Sequence, residues 1–275
     1  MARAFSAEHE VINAALAGLG INPVTESYAS ENTEQAKLAT ATYSMHLENI
    51  LCSHPWNFAL HHAVCKEAAL PTGAWKWDYA FSQPTTTLRV WELENQSANT
   101  EEEWSVSDGL ICTNLTQTAT QTVESVTSTS VITITGHGFE NADLVQTTGF
   151  TNLTNSTTYY VREKTTNNFK VEATVGGGAI TLVNDASPTG LSVSNRTIDI
   201  RYIKDDVAVT SWSPQFIAAL VAKLESEWAE PLVKATTLGD RKDLKFNVKL
   251  AESRSLDGQE GTPERQDTST WLNER

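Results

Sequence analysis

The chain is 275 residues long, with 20 Lys and Arg against 34 Asp and Glu and a net charge of −14. That length can bury one sizeable core and a smaller second domain, and the acidic balance excludes a protein that grips nucleic acid through a basic face. No apolar stretch approaches the roughly 20 residues a membrane-spanning helix needs. The first ten residues lack the apolar run of a signal peptide. Cys52, Cys65 and Cys112 are odd in number and widely spaced, so they are expected as free thiols of a reducing cytoplasm.

The first predicted helix spans 6–20. Ser6 is its cap, Val11, Ile12, Ala15, Leu16 and Leu19 recur at helical spacing, and Gly18, Gly20 and Pro23 end the pattern. A second helix, 32–54, opens at Asn32 with Gln35 three residues on. Its apolar face is Ala36, Ala39, Tyr43, Leu47 and Ile50, and Pro55 stops it. Beyond Trp56 the period changes to two. Phe58, Leu60, His62 and Val64 share one face of a strand, and Trp75, Trp77, Tyr79 and Phe81 share a face of the next. A third strand covers 88–93, and 104–106 and 110–112 form a hairpin around Ser107-Asp108-Gly109.

Composition shifts after Asn114. Residues 115–196 are crowded with Thr, Ser, Asn and Gly, lack Trp and show no helical apolar period. Short β-rich runs at 131–134, 144–146, 158–162, 169–173 and 179–183 read as a small all-β module. The earlier style then returns with an alternating strand over 197–204. Ser213 and Pro214 open a helix over 213–232, with Phe216, Ile217, Leu220, Val221, Leu224 and Trp228 along one stripe until Pro231. A fourth helix, 238–257, is read with Leu244, Val248 and Ala251 inward and Gly258 as its stop.

The expected fold class is α+β. A helical bundle drawn from both chain ends (1–114 and 197–275) packs with an antiparallel sheet platform (56–113 and 197–204), interrupted by the 115–196 module. Insertion at a hairpin end is cheap, because loop-closure entropy grows only logarithmically with length.

Catalytic chemistry finds little footing. His61 and His62 point to opposite faces of a strand, so they and Cys65 cannot easily share one metal ion. His137, between Gly136 and Gly138, reads as a residue of an exposed turn. Glu92, Glu94 and the 101–103 Glu run are acid–base candidates for a glycoside hydrolase by residue type alone. No phosphate-binding Gly loop, Gly-x-Ser-x-Gly or His-Glu-x-x-His occurs. The aromatic strand could stack on a sugar, but aromatics equally dominate cores and subunit contacts. Trp56 reads as a wedge of helix against sheet. Arg241, Lys242, Lys245 and Lys249 form a basic stripe, either a solvated face or a contact with an acidic neighbouring surface.

With 115–196 set aside, the chain resembles the tail tubular protein A family, the head-to-tail adaptors of short-tailed bacteriophages. The resemblance is carried by Glu10-Val-Ile-Asn-Ala-Ala-Leu-Ala-Gly-Leu-Gly20 and by His54-Pro-Trp-Asn-Phe-Ala59 after a helix with Tyr43. Further pieces are 75–79, Leu88-Arg-Val90, Ile200-Arg-Tyr-Ile203, the 216–231 helix and Trp271-Leu272 beside Arg275. His-Pro-Trp-Asn-Phe is the most specific of these. The resemblance implies a non-enzymatic subunit of a dodecameric ring between portal protein and tail nozzle protein. It also implies assembly in the host bacterial cytoplasm, residence in the virion tail with tail fibres nearby, and no cofactor or metal. Genomic DNA would pass through the channel without specific binding, as the net charge favours. Structural or interface candidates are Trp56, Trp75, Trp77, Tyr79, Arg241, Lys242, Lys245 and Trp271. The module departs from the family's shorter members; a tail-associated glycan-binding protein or glycoside hydrolase is the alternative reading.

Overall fold

A computed structural model of the chain describes residues 5–73, 76–94, 103–185 and 188–260. The fold is mixed α+β, with four α-helices and twelve strands among these residues.

Helix α1 (Glu8–Leu19) buries Val11, Ile12, Ala15, Leu16 and Leu19, the stripe its sequence predicts. Its cap is Ala7 rather than Ser6: the Glu10 carboxylate turns back to accept the Ala7 N–H at 3.1 Å and the Ser6 hydroxyl at 3.1 Å. An acid in the third helical position can satisfy free N–H groups as well as a capping hydroxyl does. At the other end Gly20 takes φ 74° and the Ile21 N–H returns to the Leu16 carbonyl at 2.9 Å, a closure that favours glycine. Helix α2 (Glu34–Cys52) is capped by Thr33 rather than Asn32, and adds His46 and Leu51 to the expected buried face. Helix α3 (Pro214–Trp228) is capped as expected: the Ser213 hydroxyl accepts the Phe216 N–H at 3.2 Å. A π-helical turn over Ala229–Val233 holds Pro231, and Lys234 at φ 56° redirects the chain into helix α4 (Thr236–Asp257).

The inward face expected of α4 is corrected. Leu244 and Val248 are 69% and 57% exposed, and Ala251 is exposed too. The residues α4 buries are Ser253 and Asp257, and Leu238, Phe246 and Leu250 are half-buried against the helical core. The helix has no continuous apolar stripe, so its orientation is decided by polar contacts described below rather than by its few apolar side chains.

The strands are β1 (Leu60–Ala68), β2 (Tyr79–Ser82), β3 (Thr87–Leu93), β4 (Trp104–Ser107) and β5 (Leu110–Thr113). They continue with β6 (Gln117–Thr122), β7 (Ser125–Val126), β8 (Ile132–Thr133), β9 (Leu144–Thr148), β10 (Thr158–Arg162), β11 (Asn168–Glu172) and β12 (Ser192–Lys204). They pair in the order β4-β5-β2-β1-β12-β9-β10-β11-β8-β7, with β3 and β6 also on β12. Strand β1 forms as read, and of its two alternating sets the one with Cys65 turns inward while Val64 is exposed; neighbouring strands set parity, and a slip of one residue exchanges the faces. Two expectations change. Strand β2 starts at Tyr79, because the Asp78 N–H is taken by the Asn114 side chain at 2.8 Å rather than by a ladder. The run at 179–183 forms one isolated bridge, Glu172 to Ala179, not a strand. The β4–β5 hairpin stands as read, with Asp108 and Gly109 at φ 52° and 73° in its two-residue turn.

Two compact units divide the chain: 1–61, 86–91 and 202–275 in one, 62–85 and 92–201 in the other. The compositional boundaries at 114/115 and 196/197 fall inside the second unit. The helical unit has a hydrophobic core of α1, α2 and α3 side chains with Trp56, Ala59 and Ile203. The second unit holds a separate cluster drawn wholly from residues 123–193, including Ile132, Val145, Val161, Phe169 and Val193. Strand β12 crosses the 196/197 boundary without a break. Its first six residues pair antiparallel with β6, from Ser192 opposite Thr122 to Thr197 opposite Gln117. Strand β6 was not foreseen, because Gln-Thr-Ala-Thr-Gln-Thr has no apolar alternation. Since Gln117 and Thr197 face each other and the 123–193 cluster is self-contained, replacing 118–196 by an Asn-Gly turn should leave a protein that still melts cooperatively. A broad, non-cooperative transition in calorimetry would show that the cluster supports the remaining strands.

Candidate functional site

The corner at 54–58 gives each of its residues a physical task. Pro55 cannot continue α2, and Ser53 closes that helix with its N–H on the Ile50 carbonyl at 3.1 Å. Trp56 is fully buried, donates its indole N–H to the same Ile50 carbonyl at 2.9 Å, and meets Phe216 edge-on at 5.1 Å between centroids. Phe58 contacts Phe216 at 4.8 Å. The last turn of α4 closes the corner. The Asp257 carboxylate accepts the Asn57 N–H at 3.2 Å, and the Asn57 side chain donates to the Asp257 carbonyl at 2.6 Å. His54 Nε2 lies 3.2 Å from the same carboxylate, and Arg254 donates to the Ser53 carbonyl at 3.2 Å. Burial holds His54 below the usual histidine range and pushes Asp257 above the usual carboxylate range, each opposed by the other and, for Asp257, first by the Asn57 N–H.

A second polar node pins the other end of α4. Glu225 on α3 is 3% exposed and accepts from Lys242 and Lys245, both at 2.9 Å. Lys242 also donates to the Gly18 carbonyl of α1 at 3.1 Å. Gly18 permits this closeness: a Cβ there would overlap the Glu225 carboxylate. Of the expected basic stripe, Lys242 and Lys245 are therefore engaged inside the helical unit, and Lys249 pairs with Glu252 at 2.7 Å. Arg241 is exposed and in no ion pair among the described residues. Sequence reasoning missed Glu225 and Asp257 as organising groups; the signal available for Glu225 was an acid inside the apolar stripe of α3.

Of the aromatic candidates, Trp77 and Tyr79 each carry a cation on the ring. Trp77 precedes β2, is half-buried, and carries the Lys76 ammonium 4.9 Å from its ring centre. Tyr79 opens β2 with the Arg196 guanidinium 4.7 Å over its ring, and Arg196 is bound to Glu67 at 3.0 Å. Trp75 and Trp271 lie outside the described residues.

His62 meets Glu94 at 2.8 Å, His61 lies 6.2 Å from the Tyr202 ring, Glu92 pairs with Arg201 and Glu103 with Lys76. His137 corrects the expected exposed turn. It is buried against Phe169 at 4.9 Å, its Nδ1 accepts the Phe139 N–H at 2.9 Å, and burial lowers its pKa. The Cys65 thiol is pushed up to about 11 by burial, with Asp199 adding to the shift. Among the described residues no group of three or more His, Cys, Asp or Glu is placed to hold a metal ion, and no helix is long and apolar enough to cross a membrane. No protein-family model and no curated protein matches the chain.

Two substitutions test this construction. Trp56→Ala removes a fully buried ring and its hydrogen bond, and should cost about 3–5 kcal/mol of unfolding free energy; a denaturant melt losing less than about 1 kcal/mol would refute the wedge. Gly18→Ala in an unconstrained helix would gain about 1 kcal/mol from helix propensity. Here the new methyl must displace a carboxylate held by two lysines, so a net loss of about 1–3 kcal/mol is expected, and a stabilised variant would show that Glu225 is free to move.

Proposed function

We propose that this protein is a structural subunit of a short-tailed phage tail, a non-enzymatic adaptor that forms a ring between portal and nozzle proteins in the virion. One observation carries the reading. The stretch on which the family resemblance is most specific, His54-Pro-Trp-Asn-Phe58, is a corner whose side chains and backbone are fixed by α2, α3 and the last turn of α4. A five-residue likeness on an exposed loop would be weak support; five residues each with a separate constraint are stronger.

In this reading the helices from both chain ends form one bundle packed with an antiparallel platform, and 115–196 is a module inserted into that host. The continuous β6–β12 ribbon supports the insertion, since it brings the ends of the segment opposite each other. The acidic balance supports a passage through which DNA moves without being retained, because like charges repel over about one Debye length of the wall, about 8 Å at physiological salt.

The test is assembly. The purified protein mixed with the portal protein of the same phage should give a ring-shaped complex by negative-stain imaging, with several copies per portal by native mass spectrometry. Absence of a complex at micromolar concentrations of both proteins would overturn the adaptor reading.

A further inference from the structure

Helix α4 ends beside an open cavity of the helical unit. The Glu260 N–H returns to the Asp257 carbonyl at 3.1 Å, and Glu260 lies on the edge of this cavity, whose volume is ≈ 420 Å³. Phe5, Phe58, Val209, Trp212, Pro214 and Ile217 line it, so its walls are mostly apolar; Ser211, Ser213 and Glu260 are its polar groups. All of them belong to the one helical unit. Val209, Trp212 and Ile217 are otherwise buried, whereas Phe5 and Phe58 are half-buried and Pro214 is exposed. The two phenylalanines therefore keep apolar area in water, and covering it would gain about 25 cal/mol per Å².

The sequence beyond Glu260 supplies a cover. Residues 261–270, Gly-Thr-Pro-Glu-Arg-Gln-Asp-Thr-Ser-Thr, carry no large apolar side chain, and Trp271-Leu272 follows as the single apolar pair after α4. A polar spacer that starts on the cavity's edge can return to it, since each residue spans up to about 3.3–3.6 Å and the closure cost grows slowly with length. A tether this short presents its end at an effective concentration of about millimolar, well above that of a second copy in dilute solution. The cavity lies at the lower end of the range of about 300–1,000 Å³ typical of ligand sites, a size suited to one indole and one leucine side chain. An indole N–H can only donate, and the Ser211 hydroxyl and Glu260 carboxylate are acceptors beside the cavity.

We propose that Trp271 and Leu272 seat in this cavity of their own chain. The tail is then a strap that covers Phe5 and Phe58. It ties together the segment before α1, the 54–58 corner and the first turn of α3, where Ser213 and Pro214 lie. The strap is independent of the adaptor role proposed above.

Hydrogen exchange followed by mass spectrometry on the full chain tests it. Trp271→Ala with Leu272→Ala removes the apolar pair and leaves every cavity residue in place. Amides of 209–217 and around Phe58 should then exchange roughly tenfold faster, equivalent to about 1.4 kcal/mol of local protection. Those of 123–193 should not change. Trp271→Phe, which keeps an apolar ring, should retain most of the protection, and the effect should be the same at low and high protein concentration. In a Ser211→Trp background the new ring fills the cavity, and a melting temperature like that of the wild type verifies folding. There the same tail substitutions should change nothing. Unchanged exchange in the tail variant would overturn the proposal and leave the cavity to another occupant. An effect that vanishes on dilution would overturn it in favour of a second copy's tail. An effect that persists in the Ser211→Trp background would overturn it by placing Trp271 elsewhere.

Discussion

Asp257 sets its carboxylate against the backbone N–H of Asn57, 200 positions away in sequence. A buried carboxylate is tolerable only where donors surround it, and here the Asn57 amide and the His54 ring supply them. The contact fixes where the chain turns after α2. Trp56 can then enter the core, its indole N–H reaching the Ile50 carbonyl and its ring meeting Phe216 of α3. If the corner opened, the indole N–H would lose its partner and the core a large aromatic. The polar contact at the last turn of α4 and the aromatic contact in the core are therefore one constraint, seen from two sides.

Helix α4 illustrates a different division of labour. Most helices of globular proteins are held by an apolar stripe. This one is held at its first turns by two lysines on the buried Glu225 and at its last turn by Asp257. Only a few half-buried side chains, Phe246 and Leu250 among them, lie between. Removing one partner of such a pair would leave an uncompensated buried charge on Glu225. The side chains that would ordinarily serve as anchors, Leu244 and Val248, remain available to other molecules.

What the sequence made legible follows the same physics. Helices α1 and α3 were readable because Val11, Ile12, Ala15, Leu16, Phe216, Leu220 and Leu224 repeat at 3.6 residues and are buried as that period requires. Helix α4 was readable in extent but not in facing, since its orienting partners, Glu225 and Asn57, lie elsewhere in the chain. The parity of β1 was hidden for a related reason: neighbouring strands decide it, and an alternation of Leu, His and Val does not. Strand β6 was invisible because Thr and Gln carry no apolar signal, and its partner is 70–80 residues away. Of the candidate interface residues, Trp56 was legible as a wedge from its place after Pro55. Lys242 and Lys245 appeared as a surface stripe because nothing local betrays a buried acid on another helix.

The β6–β12 pair has a mechanical consequence. Six residue pairs run from Gln117 opposite Thr197 to Thr122 opposite Ser192, and both strands continue as covalent chain at each end. Tension along this ribbon is borne by two backbones side by side, so extension meets bond stretching before any ladder bond yields. A force that splays Gln117 from Thr197 instead loads the ladder one pair at a time, like a zipper. The ribbon is a stiff tether along its length and a weak seam across it, so the same six pairs resist a pull on 118–196 and give way to a wedge driven between its two roots.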